Sequence, residues 1–261
     1  MSIADRLDEL IGQAGPMTGR EMSRSGLTLA KVTNIKDEEK LNRVKCLPIG
    51  AADEEETDWC YVMTPMGGKG CGFMLFPQVD DLVVLAYLDD DPHRPLVLGG
   101  YWNSETTPPL SVAEGKSEDY VLRTPKKIEI LLHDTDKEQA VTLTMPSGTE
   151  IKIDDKEQNI KIKDKNGDNA LTMDLKGGNI ELKAKTKLTL SAGSTTITLE
   201  SSGNLTEKAD SKLSSQAANI ETKATAKLAM EGAQAELKAS ATLDLNGSGM
   251  ANLKGGMVKI N

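Results

Sequence analysis

From residue 126 onward, apolar side chains stand at every second position in short runs. They are Ile128 and Ile130; Val141, Leu143 and Met145; Ile151 and Ile153; Ile160 and Ile162; Leu171, Met173 and Leu175. Alternation with period two, bounded by polar and glycine-containing turns, predicts strands. After Gly177 and Gly178 the pattern thins to a repeat. Ile180, Leu188, Ile197, Leu205, Leu213, Ile220, Leu228, Leu237, Leu245, Leu253 and Ile260 follow one another at spacings of 8, 9, 8, 8, 7, 8, 9, 8, 8 and 7. Polar or small residues lie between them, often with alanine at the flanking inward position (Ala184, Ala192, Ala217, Ala224, Ala239). A helical seam repeats every seven or eleven residues, so a mean near eight does not fit one. Residues 207–241 have helix-friendly composition, but Ser and Thr are dense and the register runs on unbroken from clear strands. One short strand and a turn per repeat fits better.

Such a strand cannot bury its apolar side chain alone and must stack on neighbours. One apolar residue in about eight is too few for a single-chain solenoid; three chains wound together supply three to each layer. The expectation is a homotrimeric shaft over 126–261, with Ile180, Leu188, Ile197, Leu205, Leu213, Ile220, Leu228, Leu237, Leu245 and Leu253 on its axis.

The first part of the chain reads differently. Ile3, Leu7, Leu10, Ile11 and Ala14 share one face at helical spacing, with Ser2 as N-cap, so residues 2–14 predict a short helix. Thirteen residues are marginal alone, so this helix is expected to dock on something. Gly15, Pro16 and Gly19 end it, and 1–20 is taken as helix and linker. Between 27 and 101, the runs Leu27–Ile35, Asn42–Leu47, Trp59–Thr64, Gly72–Phe76, Leu82–Leu88 and Leu96–Trp102 read as strands. The third and fourth flank a flexible Gly67–Gly70 loop, and the fourth is expected to pair with the fifth through a turn at Pro77–Asp81. Five or six short strands suit a small closed barrel, here 21–102. Residues 103–125, with Pro108, Pro109 and Pro125, form a linker too short for an inserted catalytic domain.

Composition supports a thin, elongated core. Hydrophobic residues are 38% and aromatics 3%, too few bulky side chains for one conventional core of this length. The net charge of −9 argues against nucleic acid and against a surface that seeks anionic lipid. Cys46, Cys60 and Cys71 are odd in number and make no disulfide framework, so they are expected as free thiols from a reducing compartment. The N-terminus lacks the apolar stretch of a secretory signal, and Leu82–Leu88 is far too short to span a bilayer. Synthesis and assembly in the cytoplasm are expected.

No motif predicts catalysis, a cofactor or a metal. Gly67-Gly-Lys-Gly70 lacks the Ser or Thr of a P-loop and no helix follows, so it reads as a surface loop. Asp89–Asp91 with His93 reads as a turn, and Asp53–Asp58, without the glycine of an EF-hand loop, as a solvated loop. His93 and His133 are far apart in sequence and no CxxC occurs. Asp154-Asp155 sits at a turn, and the lysines at 161, 163, 183, 185 and 187 form a solvent face that blunts strand edges.

Four segments carry a resemblance. Asn42-Arg-Val-Lys-Cys-Leu-Pro48, Asp58-Trp-Cys-Tyr-Val62, Gly72-Phe-Met-Leu-Phe-Pro77 with Val79-Asp-Asp-Leu-Val-Val84, and Asp91-Pro-His-Arg-Pro-Leu-Val-Leu-Gly99 with Asn103 resemble the OB domain of phage baseplate assembly protein V. That domain also occurs in spike proteins of type VI secretion systems and phage-like contractile particles. The resemblance covers about 75 residues. It implies an all-β fold: an OB barrel, then an intertwined triple-stranded β-helix, preceded by the short helix. It also implies a homotrimer at the tip of a contractile tail tube, under a hub protein, which pierces a target envelope when the sheath contracts. Some members carry a lysozyme domain, an iron held by His-x-His at the tip, or a C-terminal effector; none of these is expected here. In relatives without their own apex, a small cone-shaped protein with a Pro-Ala-Ala-Arg-type repeat caps the end. The resemblance therefore implies a separate tip protein docked on Met257, Val258 and Ile260. The competing class is a trimeric fibre or adhesin whose barrel binds a receptor.

Overall fold

In the computed structural model, residues 26–50, 55–112 and 115–259 are described. The helix expected over 2–14, and Ile260, lie outside them. The described residues are all-β, with one 3-10 turn at Leu88–Asp90. The chain divides into two compact units, meeting between Lys185 and Thr186.

The first strands are β1 (Leu27–Asn34), β2 (Arg43–Pro48), β3 (Cys60–Val62), β4 (Gly67–Gly68), β5 (Cys71–Gly72), β6 (Leu82–Tyr87) and β7 (Pro95–Gly100). Five of them close a barrel in the order β1-β2-β3-β7-β6, as an OB fold requires. All neighbours are antiparallel except β3 and β7, whose parallel pairing, Tyr61 with Leu96, completes the ring. Bulges between Val32 and Asn34 and between Val84 and Leu85 supply the bending that closure demands. The interior is narrow and takes mostly small side chains, Ala30, Val32, Val44, Cys46, Cys60, Val83 and Val97, with Leu85 and Tyr87 as the larger members. In β1 this sets the phase. Ala30 and Val32 point inward, and the bulkier Leu27 and Leu29 face out.

The expected strand over Gly72–Phe76 does not form beyond Gly72. Both sides of β6 are occupied, one by β1 and one by β7. The segment instead pairs briefly with Gly67–Gly68 as the two-stranded hairpin β4–β5.

The turn from β1 to β2 is pinned by one carboxylate. Asp37 accepts hydrogen bonds from the Arg43 fork, Nε at 3.0 Å and Nη2 at 2.8 Å. It also accepts from the backbone N–H groups of Glu39, Leu41 and Arg43. Its side chain is only 4% exposed. The Arg43 guanidinium and these N–H donors hold the Asp37 carboxyl well below the usual carboxylate range.

The second sheet is a meander of seven antiparallel strands: β8 (Asp119–Arg123), β9 (Glu129–His133), β10 (Ala140–Thr144), β11 (Glu150–Asp154), β12 (Asn159–Lys163), β13 (Ala170–Asp174) and β14 (Asn179–Lys183). Each strand pairs with the next in sequence. In the second unit, β15 (Lys187–Ala192), β16 (Thr195–Glu200) and β17 (Leu205–Lys208) make a three-stranded sheet. Residues 209–259 contain no helix and no strand.

A depressed carboxyl pKa has a fixed sign in linkage. Stability from Asp37 is fully present above the unfolded-state value, about 4, and is lost as pH falls toward the lower folded value. Asp37→Asn should therefore lower the urea midpoint of the barrel near neutral pH, with a gap to wild type that narrows below about pH 4. Urea titrations at neutral and acidic pH check this; an equal gap at both would remove Asp37 from the acid response.

Candidate functional site

The distinctive chemistry of this protein is an apolar surface laid out by register. In β8–β14 the cross-strand pairs form two continuous rows. One runs Leu122, Ile130, Leu143, Ile151, Ile162, Leu171, Leu182. The other runs Tyr120, Leu132, Val141, Ile153, Ile160, Met173, Ile180. Because side chains alternate across a strand, both rows occupy the same face.

Exposure is inverted relative to an ordinary sheet. In β11 the apolar positions are the open ones: Ile153 is 49% exposed, whereas the neighbouring Asp154 side chain is only 12% exposed. The charged face is the better satisfied. Lys152 lies 2.7 Å from Asp154, and Lys163 lies 3.2 Å from Glu150 on the opposite strand. Lys152, first, and the Glu157 N–H hold the Asp154 carboxyl below its ordinary value, and Asp168 raises the ammonium of Lys185. A face this large and apolar marks a surface that associates.

The axis residues expected from sequence fall on this pattern in part. Ile180 lies in the second row of β14. In the second unit, Leu188 pairs with Leu199, Leu190 with Ile197, and Leu199 with Leu205, so Leu188, Ile197 and Leu205 share one face. Leu213, Ile220, Leu228, Leu237, Leu245 and Leu253 stand in the segment without strands, all more than half exposed. At the end of the described chain, Met257 and Val258 are exposed too.

The candidate chemical groups lie in structural settings. Cys46 and Cys60 are buried in the barrel, and Thr57 bridges them: its Oγ1 accepts from the Cys46 N–H at 3.1 Å and meets Cys60 Sγ at 3.1 Å. The contact with Cys60, together with burial, pushes the Cys46 thiol up, so it stays protonated. Cys71 is exposed on the β4–β5 hairpin. His93 pairs with Asp58, and His133 with Asp119. Asp89 pairs with Arg94 within the turn after β6. Among the described residues, no group of three or more His, Cys, Asp and Glu side chains is arranged to hold a metal.

Sequence reasoning missed one surface feature. The hairpin carries Met63, Met66, Phe73, Met74 and Leu75 at 51–70% exposure. These residues line a cleft of about 550 Å³ against the barrel. The clustering of Met and Phe around glycines was the available signal. Gly72 sets the hairpin's shape: its φ is +154°, and a Cβ there would stand 2.8 Å from the Met66 carbonyl oxygen.

Comparison with known proteins bears on the barrel. Residues 28–102 match the family model of the type VI secretion system/phage-baseplate injector OB domain. The type VI secretion system spike protein VgrG5 of Pseudomonas aeruginosa is 33% identical over 69 residues, 26% of this chain and 9% of that protein. The actin cross-linking toxin VgrG1 of Vibrio cholerae is 31% identical over 72 residues, 28% of this chain and 6% of that protein. The Pseudomonas aeruginosa spike protein VgrG1a is 31% identical over 61 residues, 23% and 10% of the two chains. The matched region thus spans a tenth or less of each of these relatives.

Gly72→Ala should cost about 1–3 kcal/mol of local stability through its strained backbone. The hairpin should open, so that trypsin cleaves after Lys69 at least tenfold faster while the far-ultraviolet spectrum of the protein is unchanged. Cleavage at the wild-type rate would show that the close approach to Met66 is not what orders the hairpin.

Proposed function

We propose that this chain, which carries the injector OB domain shared by type VI secretion systems and phage baseplates, is the structural central spike of a contractile tail or injection machine. It plugs the tube below a hub protein and pierces the target envelope when the sheath contracts. The sheath supplies the work and the spike supplies stiffness, so no catalytic residue is needed.

The observation that carries this reading is the pair of apolar rows in β8–β14, which follow the injector OB domain in the chain. A single sheet has no core of its own and must cover one face. Three copies facing a common axis would each cover the others, with the charged faces turned to water. The eight-residue apolar repeat from Ile180 onward extends the same arrangement in a thinner form. Beyond Lys208 the described chain forms no strand with itself, so that part of the shaft expected over 126–261 is read as an intertwined triple β-helix. Each Leu or Ile moved from half-exposed to fully buried contributes about 1–2 kcal/mol. Repeated along the axis in three chains, this is a large driving force for assembly.

The barrel is assigned to hub docking; the linker expected over 103–125 is shorter than the sequence suggested, because Asp119–Arg123 forms β8, the first strand of the meander. Met257, Val258 and Ile260 form the end on which a separate small tip protein docks. Three copies of this segment would bring apolar side chains together, a patch that attracts a partner.

Sedimentation of the purified protein should give three times the 28.1 kDa chain mass. Leu213→Asp, which places three carboxylates together on a dry axis, should abolish or severely weaken the trimer. A folded wild-type monomer would overturn the trimeric spike, and an unaffected variant trimer would overturn the inward assignment of Leu213.

Truncation after Gly256 should remove capture of the small tip protein from particle lysates while leaving trimers intact. Equal capture by both forms would show that the tip binds elsewhere.

A further inference from the structure

The outside of the barrel holds a second unfinished apolar face, separate from the shaft and independent of the spike reading. The phase of β1 turns Leu27 and Leu29 outward, at 71% and 47% exposure. Register sets Leu27 beside Ala86, Ala86 beside Leu96, and Leu29 beside Val84. Ile49, 53% exposed, adjoins them, its N–H donating to the Leu29 carbonyl at 2.8 Å. The outward side of β1, β6 and β7 is therefore aliphatic at this end, where an OB barrel in water ordinarily carries polar residues.

We infer that this face is the seat of the chain's own N-terminal segment, residues 2–14, packed as an amphipathic helix across β1, β6 and β7. Three observations select this occupant. The segment's apolar residues, from Ile3 to Ala14, fall on one helical face, while Asp5, Arg6, Asp8 and Glu9 fall elsewhere. Its length fits: thirteen residues of helix span about 20 Å, close to the length of a six-residue strand. Its tether also fits. The segment joins the barrel at Gly26, immediately before Leu27, the most exposed residue of the face. Residues 15–26, broken by Gly15, Pro16 and Gly19, can reach about 40 Å when extended, ample for the chain to double back. A tethered segment acts at millimolar effective concentration, so modest burial holds it where an untethered partner would need real affinity.

The inference accounts for a helix too short to stand alone and a barrel face too apolar to stand bare. It assigns Leu27, Leu29, Val84 and Ala86 to a docking role that the barrel interior does not require of them.

Limited trypsin digestion of the full-length protein tests it at Arg6, with a free peptide of residues 1–20 as reference. The segment should be cleaved at least tenfold more slowly in the protein. Leu29→Lys and Val84→Lys, both outward and outside the barrel core, should each restore cleavage to near the peptide rate. A Cys71→Ser protein carrying Leu7→Cys and Leu29→Cys, oxidised with copper phenanthroline, should form the cross-link within one chain, read by mass on a non-reducing gel. Wild-type cleavage at the peptide rate would overturn the inference, as would protection that survives both lysine variants. A cross-link between chains would also overturn it, assigning the face to a neighbouring copy's segment. Protection that arises only in assembled particles would do so as well, assigning the face to another baseplate protein.

Discussion

A β-sheet one layer thick cannot bury its own side chains, and from Asp119 to Lys208 this protein is built from single-layer sheets. Every strand of the seven-strand meander has its ladder to its sequence neighbours, and turns such as Asp154 to Glu157 are closed by side-chain bonds. What is missing is cover for one face. Backbone pairing fixes which side chains share that face, and the hydrophobic effect then makes the face a demand for partners. The charged face, tied by Lys–Glu and Lys–Asp pairs, contributes little stability of its own. Its value is directional: it fixes which side stays wet.

The barrel solves the same problem by closing on itself. Its core is small, with valines, a leucine, an alanine and two thiols inside. Closure therefore leans on precise bends and on the Asp37–Arg43 lock more than on volume buried. Arg43 also lies over the rings of Trp59 and Tyr61, 5.6 and 6.0 Å from their centres, so one side chain ties the turn to β3 and the residue leading into it.

Much of this architecture was legible in the sequence, and the failures have physical causes. Alternation located the strands of the barrel and those of the meander after β8, because one polar and one apolar face leave a period of two; Asp119–Arg123, which forms β8, reads from the sequence as part of the linker. It could not fix the phase of β1, where Leu27 and Leu29 compete with Ala30 and Val32 for the interior and only the tightness of the barrel decides. It also suggested a strand at Gly72–Phe76, because composition carries no information that β6 already has two neighbours. The rows on the meander's apolar face were visible as residues but not as rows, since turn lengths set which side chain meets which. Beyond Lys208 the apolar spacing persists while strands do not form in the single chain. On the proposed trimeric reading, the hydrogen-bond partners of this repeat lie on other chains, so its periodicity stands in the sequence without a ladder in the single chain.

The meander's strictly sequential pairing makes length a modular quantity. Successive strands sit about 4.8 Å apart, so each hairpin adds about 10 Å to the stack and carries its own share of both apolar rows. Two strands can be duplicated or lost without altering chain direction, register or the face presented by those that remain. Evolution can therefore lengthen or shorten this part of the protein in whole hairpins, as one adds courses to a brick wall, while the segments that precede and follow it in the chain keep their own pairing.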